Sequence, residues 1–314
     1  MACERCGAPS VIDRPYDGTH PCARHLEASV RERFRREVHL QFPRFAGGRI
    51  AVALSGGKDS AVALALTHRY FARRPGAEIV AITVDEGIAG YRPPTIAKAA
   101  ELCRSLGVRH EIVRASERIG TTTDAAALRL ADRPPCGPCG VWRRQLLNGA
   151  ARELGARVLV LGFNLDDLAQ TVLMNLAKAD VDRLVRMAPH RQRQDGLIPR
   201  IAPLAEVPER EVFAFATLAG LPFDHGECPH ASAAQRNVFR EVVWRLEEAR
   251  PGTRHALLRT RERIVELLEA AGVGGAPMVC LRCGEASTGP VCRACQLREA
   301  AAAGVMADGG VGPS

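Results

Sequence analysis

Aromatic residues make up only 4% of this 314-residue sequence, and no apolar stretch reaches the roughly 18 residues that a membrane-spanning helix needs. We therefore expect no membrane span. The N-terminus, Met-Ala-Cys-Glu-Arg-Cys, has no secretory h-region, which makes the cytoplasm the expected compartment. Cysteine, by contrast, is plentiful: there are eleven. In a reducing cytosol they argue for metals or redox chemistry rather than structural disulfides. The formal charge of +8 suits a polyanionic partner without identifying one. The length allows one sizeable core with small appendages.

A Walker loop is also missing. G-x-x-x-x-G-K-[ST] would need Gly where Val52 stands and Ser or Thr where Asp59 stands. In its place the apolar run Ile50-Ala51-Val52-Ala53-Leu54 reads as a buried strand, and Ser60 to Tyr70 reads as a helix. Between them lies Ser55-Gly56-Gly57-Lys58-Asp59-Ser60. A Gly-rich turn at a helix N-terminus presents backbone N–H groups and partial positive charge to an anion. Gly56 and Gly57 permit close approach of a pyrophosphate, Ser55 and Ser60 add hydroxyls, Lys58 adds a point charge, and Asp59 is a candidate Mg²⁺ ligand. The six residues resemble the signature of the PP-loop ATP-pyrophosphatase superfamily, whose members adenylate an oxygen and release pyrophosphate.

Both ends of the chain carry metal-ligand spacing. Cys3-Glu-Arg-Cys6 and Cys22-Ala-Arg-His25 supply three thiolates and an imidazole, a full tetrahedral set for zinc, with His20 an alternative to His25. Cys280-Leu-Arg-Cys283 and Cys292-Arg-Ala-Cys295 supply four thiolates in zinc-ribbon style. After the first set, residues 27 to 41 look helical and crowd Arg31, Arg33, Arg35 and Arg36, either as a solvated face or as phosphate contacts.

Between the ends, strand-like and helix-like stretches alternate, which predicts an α/β fold with a parallel sheet and ligands at the strands' carboxyl ends. Strands are expected at Ala77 to Val84, Glu111 to Arg114 and Arg157 to Leu161. Helices are expected over Thr95 to Leu106, Gly140 to Leu154, Leu168 to Leu176, Glu209 to Leu218, Gln235 to Glu248 and Arg254 to Ala271. Gly162-Phe163-Asn164-Leu165-Asp166-Asp167 puts a Gly and two carboxylates at a strand end. Asp166 reads as a helix cap and Asp167 as the group for Mg²⁺ or for orienting the nucleotide. Residues 180 to 200, with Arg183, Arg186, His190, Arg191, Arg193 and Arg200, read as a basic, mobile connector. The expected segments are a zinc finger (1–30), a basic helix and linker (31–48) and a PP-loop domain (49–225). A helical extension with Cys228 (226–275), a zinc ribbon (276–299) and a disordered tail (300–314) follow.

Four cysteines remain. Cys103 falls in a helix pattern as a small buried hydrophobe. Cys136-Gly-Pro-Cys139 enters a helix, whose N-terminus favours thiolates, and Cys228 stands alone in a distant loop. The trio could hold a third zinc with His225 or His230, work as a persulfide and disulfide set, or hold a [4Fe–4S] cluster with one iron free of protein ligands.

The order of all these motifs, from the first cysteine pair to the last, closely resembles the tRNA 2-thiouridine synthetases of the PP-loop superfamily. The resemblance covers nearly the whole chain except its tail. It implies two zinc sites and a [4Fe–4S] cluster on Cys136, Cys139 and Cys228. It implies adenylation of the C2 oxygen of a tRNA uridine followed by displacement with sulfur; the family splits between the T-loop uridine 54 and the wobble uridine 34, of which we expect uridine 54 by a slight preference. ATP is then expected over Ser55–Ser60 with its base near Ala53, Leu54 and Ile82 and the crevice closed by Gly162 and Asp167. Asp59, Asp167 and the three cysteines carry the chemistry. The sulfur donor is a ubiquitin-like carrier or sulfide, and a homodimer is expected. A basic residue after the second cysteine of the pair is Lys in some relatives; here it is Arg143, which suits an electrostatic role rather than proton transfer. A cluster-free persulfide thiouridylase and another PP-loop adenylating enzyme are the alternatives.

Overall fold

The computed structural model describes residues 1–130, 133–189, 196–271 and 278–308. His190, Arg191 and Arg193 of the basic connector, and residues 309–314 of the tail, lie outside the described residues. The chain opens on a loop segment and enters α1 (Ala23–Gln41), β1 (Gly48–Ala53), α2 (Lys58–Phe71), β2 (Ala77–Asp85), α3 (Arg92–Leu106) and β3 (Arg109–Arg114). Two short helices, α4 (Ala115–Arg118) and α5 (Thr123–Arg129), lead to α6 (Cys136–Glu153), β4 (Ala156–Val160), α7 (Leu165–Leu176), α8 (Val181–Val185) and β5 (Arg200–Ile201). Then come α9 (Glu209–Leu218), α10 (Arg236–Ala249), α11 (Thr253–Ala270), β6 (Met278–Val279), β7 (Ala286–Ser287) and α12 (Arg293–Asp308).

The five strands β1 to β5 form one parallel sheet in the order β3-β2-β1-β4-β5. Both faces are covered, so side chains alternate between two cores. Ile50, Val52, Val158 and Val160 face a core shared with α1, α2, α3 and α9. Ala51, Ile82, Leu159 and Leu161 face another built on α6 and the C-terminal segment. A third cluster joins α7 to α10 and α11 through Leu165, Leu168, Val243 and Leu258. The strand order reverses between β1 and β4, and there the loops that leave their carboxyl ends open a crevice.

Several expectations change. The basic helix begins at Ala23, inside the segment assigned to the zinc finger, because Leu26, Val30, Phe34 and Val38 recur every four residues and are all buried. Its arginines pair with carboxylates: Arg31 with Glu27, Arg35 with Glu32, Arg36 with Glu37 and Arg33 with the buried Glu211. The connector contains α8, held by the buried Leu184. The tail from residue 300 continues α12 to Asp308, since alanine is the best helix former and Ala301 is buried. The C-terminal module is docked rather than appended: Trp142 on α6 donates its indole N–H to the Ala294 carbonyl at 3.2 Å.

Candidate active site

β1 delivers the chain into Leu54, whose N–H donates to Ile82 and whose carbonyl accepts the Thr83 hydroxyl at 2.7 Å. The next six residues are fixed by their own hydroxyls. Ser60 Oγ accepts the Ser55 N–H at 3.1 Å and donates to the Gly57 carbonyl at 2.9 Å, and Ser55 Oγ accepts the Gly57 N–H at 3.3 Å. Gly56 has φ of +90°, and a Cβ there would lie 2.0 Å from the Thr95 carbonyl oxygen. No other residue fits. The turn opens onto the N-terminus of α2, where amides and helix dipole favour an anion.

Charges converge on this turn. Lys58 Nζ lies 3.1 Å from Asp59 and 2.7 Å from Glu209. Burial opposes its charge, but Asp59 and Glu209 outweigh that and hold its pKa above the usual lysine value. Burial pushes Asp59 upward, against the pull of Lys58 and of Asn164, which donates to its carboxylate at 2.9 Å. From the neighbouring loop, a Cβ on Gly162 would stand 2.9 Å from Ser60 N, so glycine allows β4 and the turn to touch. Asn164 caps α7, and Asp167 returns the capping-box contact. The capping carboxylate is thus Asp167, not Asp166, which instead accepts the Glu209 N–H at 2.8 Å and pairs with Arg254 at 2.6 Å. Asp167 still faces Asp59: burial first, then the Asp59 charge, push it up to about 6.

Of the expected nucleotide contacts, Leu54 and Ile82 turn buried side chains into the cores, so neither side chain can meet a base. Ala53 is the last residue of β1.

Cys136 and Cys139 lie in the first turn of α6, which starts ahead of the expected Gly140. The loop with Cys228 folds over them: Cys136 Sγ lies 3.4 Å from the His230 carbonyl. Burial, and then the charges of neighbouring thiolates, raise the pKa of Cys136; burial and Cys139 raise that of Cys228. The helix N-terminus does not make Cys136 a thiolate by itself. A positive centre among the three would. The three sulfurs are not gathered within 4.8 Å as the two terminal sets are, and of the two proposed fourth ligands His230 is engaged elsewhere. His230 pairs with Asp124 at 2.7 Å, and the His225 ring packs tilted against Phe223 with centroids 4.6 Å apart. Three sulfurs spread more widely than the terminal sets fit an iron–sulfur cluster, whose ligands bind separate irons, better than one tetrahedral ion.

The terminal sets are compact. Cys3 Sγ is 3.2 Å from His25 Nδ1, and Cys6 and Cys22 are 3.7 Å apart with His25 at 3.5 Å from each. His20 is held by Glu4 and Asp13, which removes it as an alternative. In the other set Cys280 and Cys295 are 4.0 Å apart and Cys283 and Cys292 are 3.6 Å apart. Backbone N–H donation, from Cys22 and from Cys292, lowers Cys3 and Cys280 to about 6, whereas burial and neighbouring sulfurs raise Cys283 and Cys295. Each set could hold a metal ion.

A family model for the PP-loop domain matches residues 28–247. The tRNA 2-thiolation protein NcsA of Haloferax volcanii is 39% identical, with 95% of this chain and 98% of that protein covered. A tRNA-5-methyluridine(54) 2-sulfurtransferase of Pyrococcus horikoshii is 32% identical over 95% of this chain and 93% of its own length. The chain belongs to the PP-loop tRNA 2-thiolation family. Among solved structures, the U34-tRNA thiolase NcsA of Methanococcus maripaludis, determined with its [4Fe–4S] cluster, superposes with a TM-score of 0.83 at 30% identity, covering 95% of this chain and 96% of that one.

The geometry adds two residues that no motif marks, Arg92 and Glu86, and joins them to Arg143. Arg92, 3% exposed, donates to the Ser55 carbonyl at 3.0 Å and to Val84 at 2.5 Å. Glu86, at the end of β2, pairs with Arg92 at 2.8 Å and with Arg143 at 2.6 Å. Arg143 in turn donates to Cys139 Sγ at 3.2 Å. The part of Arg143 shielded from water opposes its charge, although the side chain is 48% exposed, but Glu86 and Cys139 hold its pKa well above the usual value, so it stays a cation. Arg92 belongs to no motif of the sequence.

Proposed function

We propose that this protein is an ATP-dependent tRNA sulfurtransferase that converts a uridine to 2-thiouridine. The observation that carries this reading is the path of contacts from the Ser55 carbonyl through Arg92, Glu86 and Arg143 to Cys139, in a chain 39% identical to a tRNA 2-thiolation protein. ATP lies with its phosphates over the turn, where the backbone amides and Lys58 draw charge from the departing pyrophosphate. Asp59 and Asp167 are the carboxylates that would hold Mg²⁺. The uridine is taken out of its stack so that its C2 oxygen reaches the α-phosphate. Adenylation turns a poor leaving group into AMP, and sulfur displaces it at C2. Cys136, Cys139 and Cys228 would hold a [4Fe–4S] cluster, which supplies an iron without a protein ligand for presenting sulfur. Arg143 keeps a fixed positive charge beside Cys139 and donates no proton. Zinc at the two terminal sets fixes segments too small to bury a core of their own.

The sulfur donor is a ubiquitin-like carrier or sulfide, and the enzyme works in the cytoplasm as a homodimer. A relative from Chlamydomonas reinhardtii is named as cytoplasmic, and no helix among the described residues is long and apolar enough to cross a membrane. The sequence reading prefers uridine 54, and the Pyrococcus relative supports it. A second reading, uridine 34, is favoured by the high similarity to the U34 thiolase structure. The test is pyrophosphate release from ATP that depends on added tRNA, on transcripts with either uridine replaced. We expect release to vanish with one of the two replacements and in Asp59→Ala. Release that ignores tRNA would overturn the proposal.

A further inference from the structure

Two consecutive carbonyls of the PP-loop are captured, and each captor belongs to a segment that leads to the cysteines. The Ser55 carbonyl accepts Arg92 Nη1 at 3.0 Å, and the Gly56 carbonyl accepts the Asp224 N–H at 2.9 Å. A trans peptide sets its N–H opposite its carbonyl, so both captures turn the Gly56 and Gly57 amides away from the captors. Asp224 begins the stretch that reaches Cys228. Arg92 reaches Cys139 through ion pairs and one hydrogen bond: Arg92 Nε to Glu86 Oε2 at 2.8 Å, Glu86 Oε1 to Arg143 Nε at 2.6 Å, Arg143 Nη2 to Cys139 Sγ at 3.2 Å.

Glu86 sits at the centre of this path. It is 6% exposed, and one guanidinium would be enough to neutralise it. It holds two, and each continues to a different half of the site. Arg92 also donates to Thr95 and to the Val84 carbonyl, so it cannot move without disturbing the end of β2 and the start of α3.

We propose that Glu86 is a positioning residue that holds the Ser55–Gly56 peptide and the Cys139 sulfur in one frame, so that nucleotide on the turn and the group on the three cysteines alter each other's binding. This rests on the 2-thiolation reading only for the identity of those two ligands. Linkage makes the effect reciprocal, and coupling of this kind commonly amounts to roughly a 5-fold change in affinity or more.

The test is the Kd for ATP, measured without oxygen on the full chain with and without its reconstituted cluster, the cluster being followed by its absorbance. Wild type is expected to show Kd values differing by about 5-fold or more between the two forms. Glu86→Gln, which keeps the shape and loses the charge, is expected to bring that ratio to about 1 while both forms still bind ATP. If Glu86→Gln does not unfold cooperatively, Arg143→Lys replaces it. A lysine ammonium lacks the fork that spans Glu86 and Cys139, and the same collapse of the ratio is expected. A wild-type ratio of about 1, a variant that keeps the wild-type ratio, or a chain that takes up no cluster would overturn the inference. The readout is binding, not turnover. A chain that couples its two ligands yet thiolates no tRNA would keep this inference and sink the proposed function, and a thiolating chain with a ratio of about 1 would do the reverse.

Discussion

Arg92, 3% exposed, holds the carbonyl of Ser55 from inside the protein, with its Nη1 3.0 Å from that oxygen. The nucleotide turn is therefore aimed from behind by a buried cation, which Glu86 balances. Arg92→Met would leave Glu86 with one partner fewer and the Ser55 peptide free to rotate. Breaking a buried ion pair from one side costs about 3–5 kcal/mol, so we expect a stability loss of that order in urea unfolding, together with weaker ATP binding. Unchanged ATP affinity in a folded Arg92→Met protein would contradict the role.

Gly162 tests the contact between the two loops of the crevice. A Cβ there meets Ser60 N and Cα at 2.9 Å, and both are backbone atoms that cannot swing aside. Gly162→Ala is expected to cost about 1–3 kcal/mol by overpacking and to weaken ATP binding by an order of magnitude or so. Isothermal titration against Gly149→Ala, where nothing lies within 4 Å of the added Cβ, supplies the control.

Asp167 gives the pH dependence. In the folded chain its pKa rises to about 6, whereas an unfolded Asp titrates near ~3.9. A raised pKa means that this group's contribution to stability is present at low pH and lost as pH climbs through about 6. Asp167→Asn never ionises, so it should be more stable than wild type at pH 8, by about 1 kcal/mol once partial exposure is allowed for, and equal to it near pH 4. It should also lose ATP-dependent turnover. Equal melting temperatures at pH 8 would show that the Asp59 and Asp167 charges do not oppose each other.

The two terminal sets predict the effect of metal removal. Chelation should release about two zinc ions per chain and loosen both ends. The C-terminal module shares a core with α6 through Trp142, so its loss should lower the melting temperature of the whole protein rather than only freeing a tail. Chelation that leaves the melting curve unmoved would contradict docking through the metal.

How much was legible follows from how local each feature is. The Ser55–Ser60 turn, β1, β2 and β4 could be read because apolar runs and Gly-Gly lie within a few residues. The metal sets could be read because C-x-x-C spacing is itself the geometry. β5 could not, since Arg200 and Ile201 are too few to make a pattern. The cap on α7 was assigned to Asp166 although Asn164 stood two residues earlier with Asp167 at the capping-box spacing. Arg92, Glu86 and Arg143 are separated by up to 57 residues in sequence, and only the parallel pairing of β2 with its neighbours and the packing of α6 across them bring the three together.

The most direct measurement is nucleoside mass spectrometry of tRNA after oxygen-free incubation with the cluster-loaded protein, Mg²⁺, ATP and sulfide. The account predicts 2-thiouridine at one position, formed only with ATP and absent with Cys228→Ala. Thiolation without ATP, or undiminished thiolation by Cys228→Ala, would contradict it.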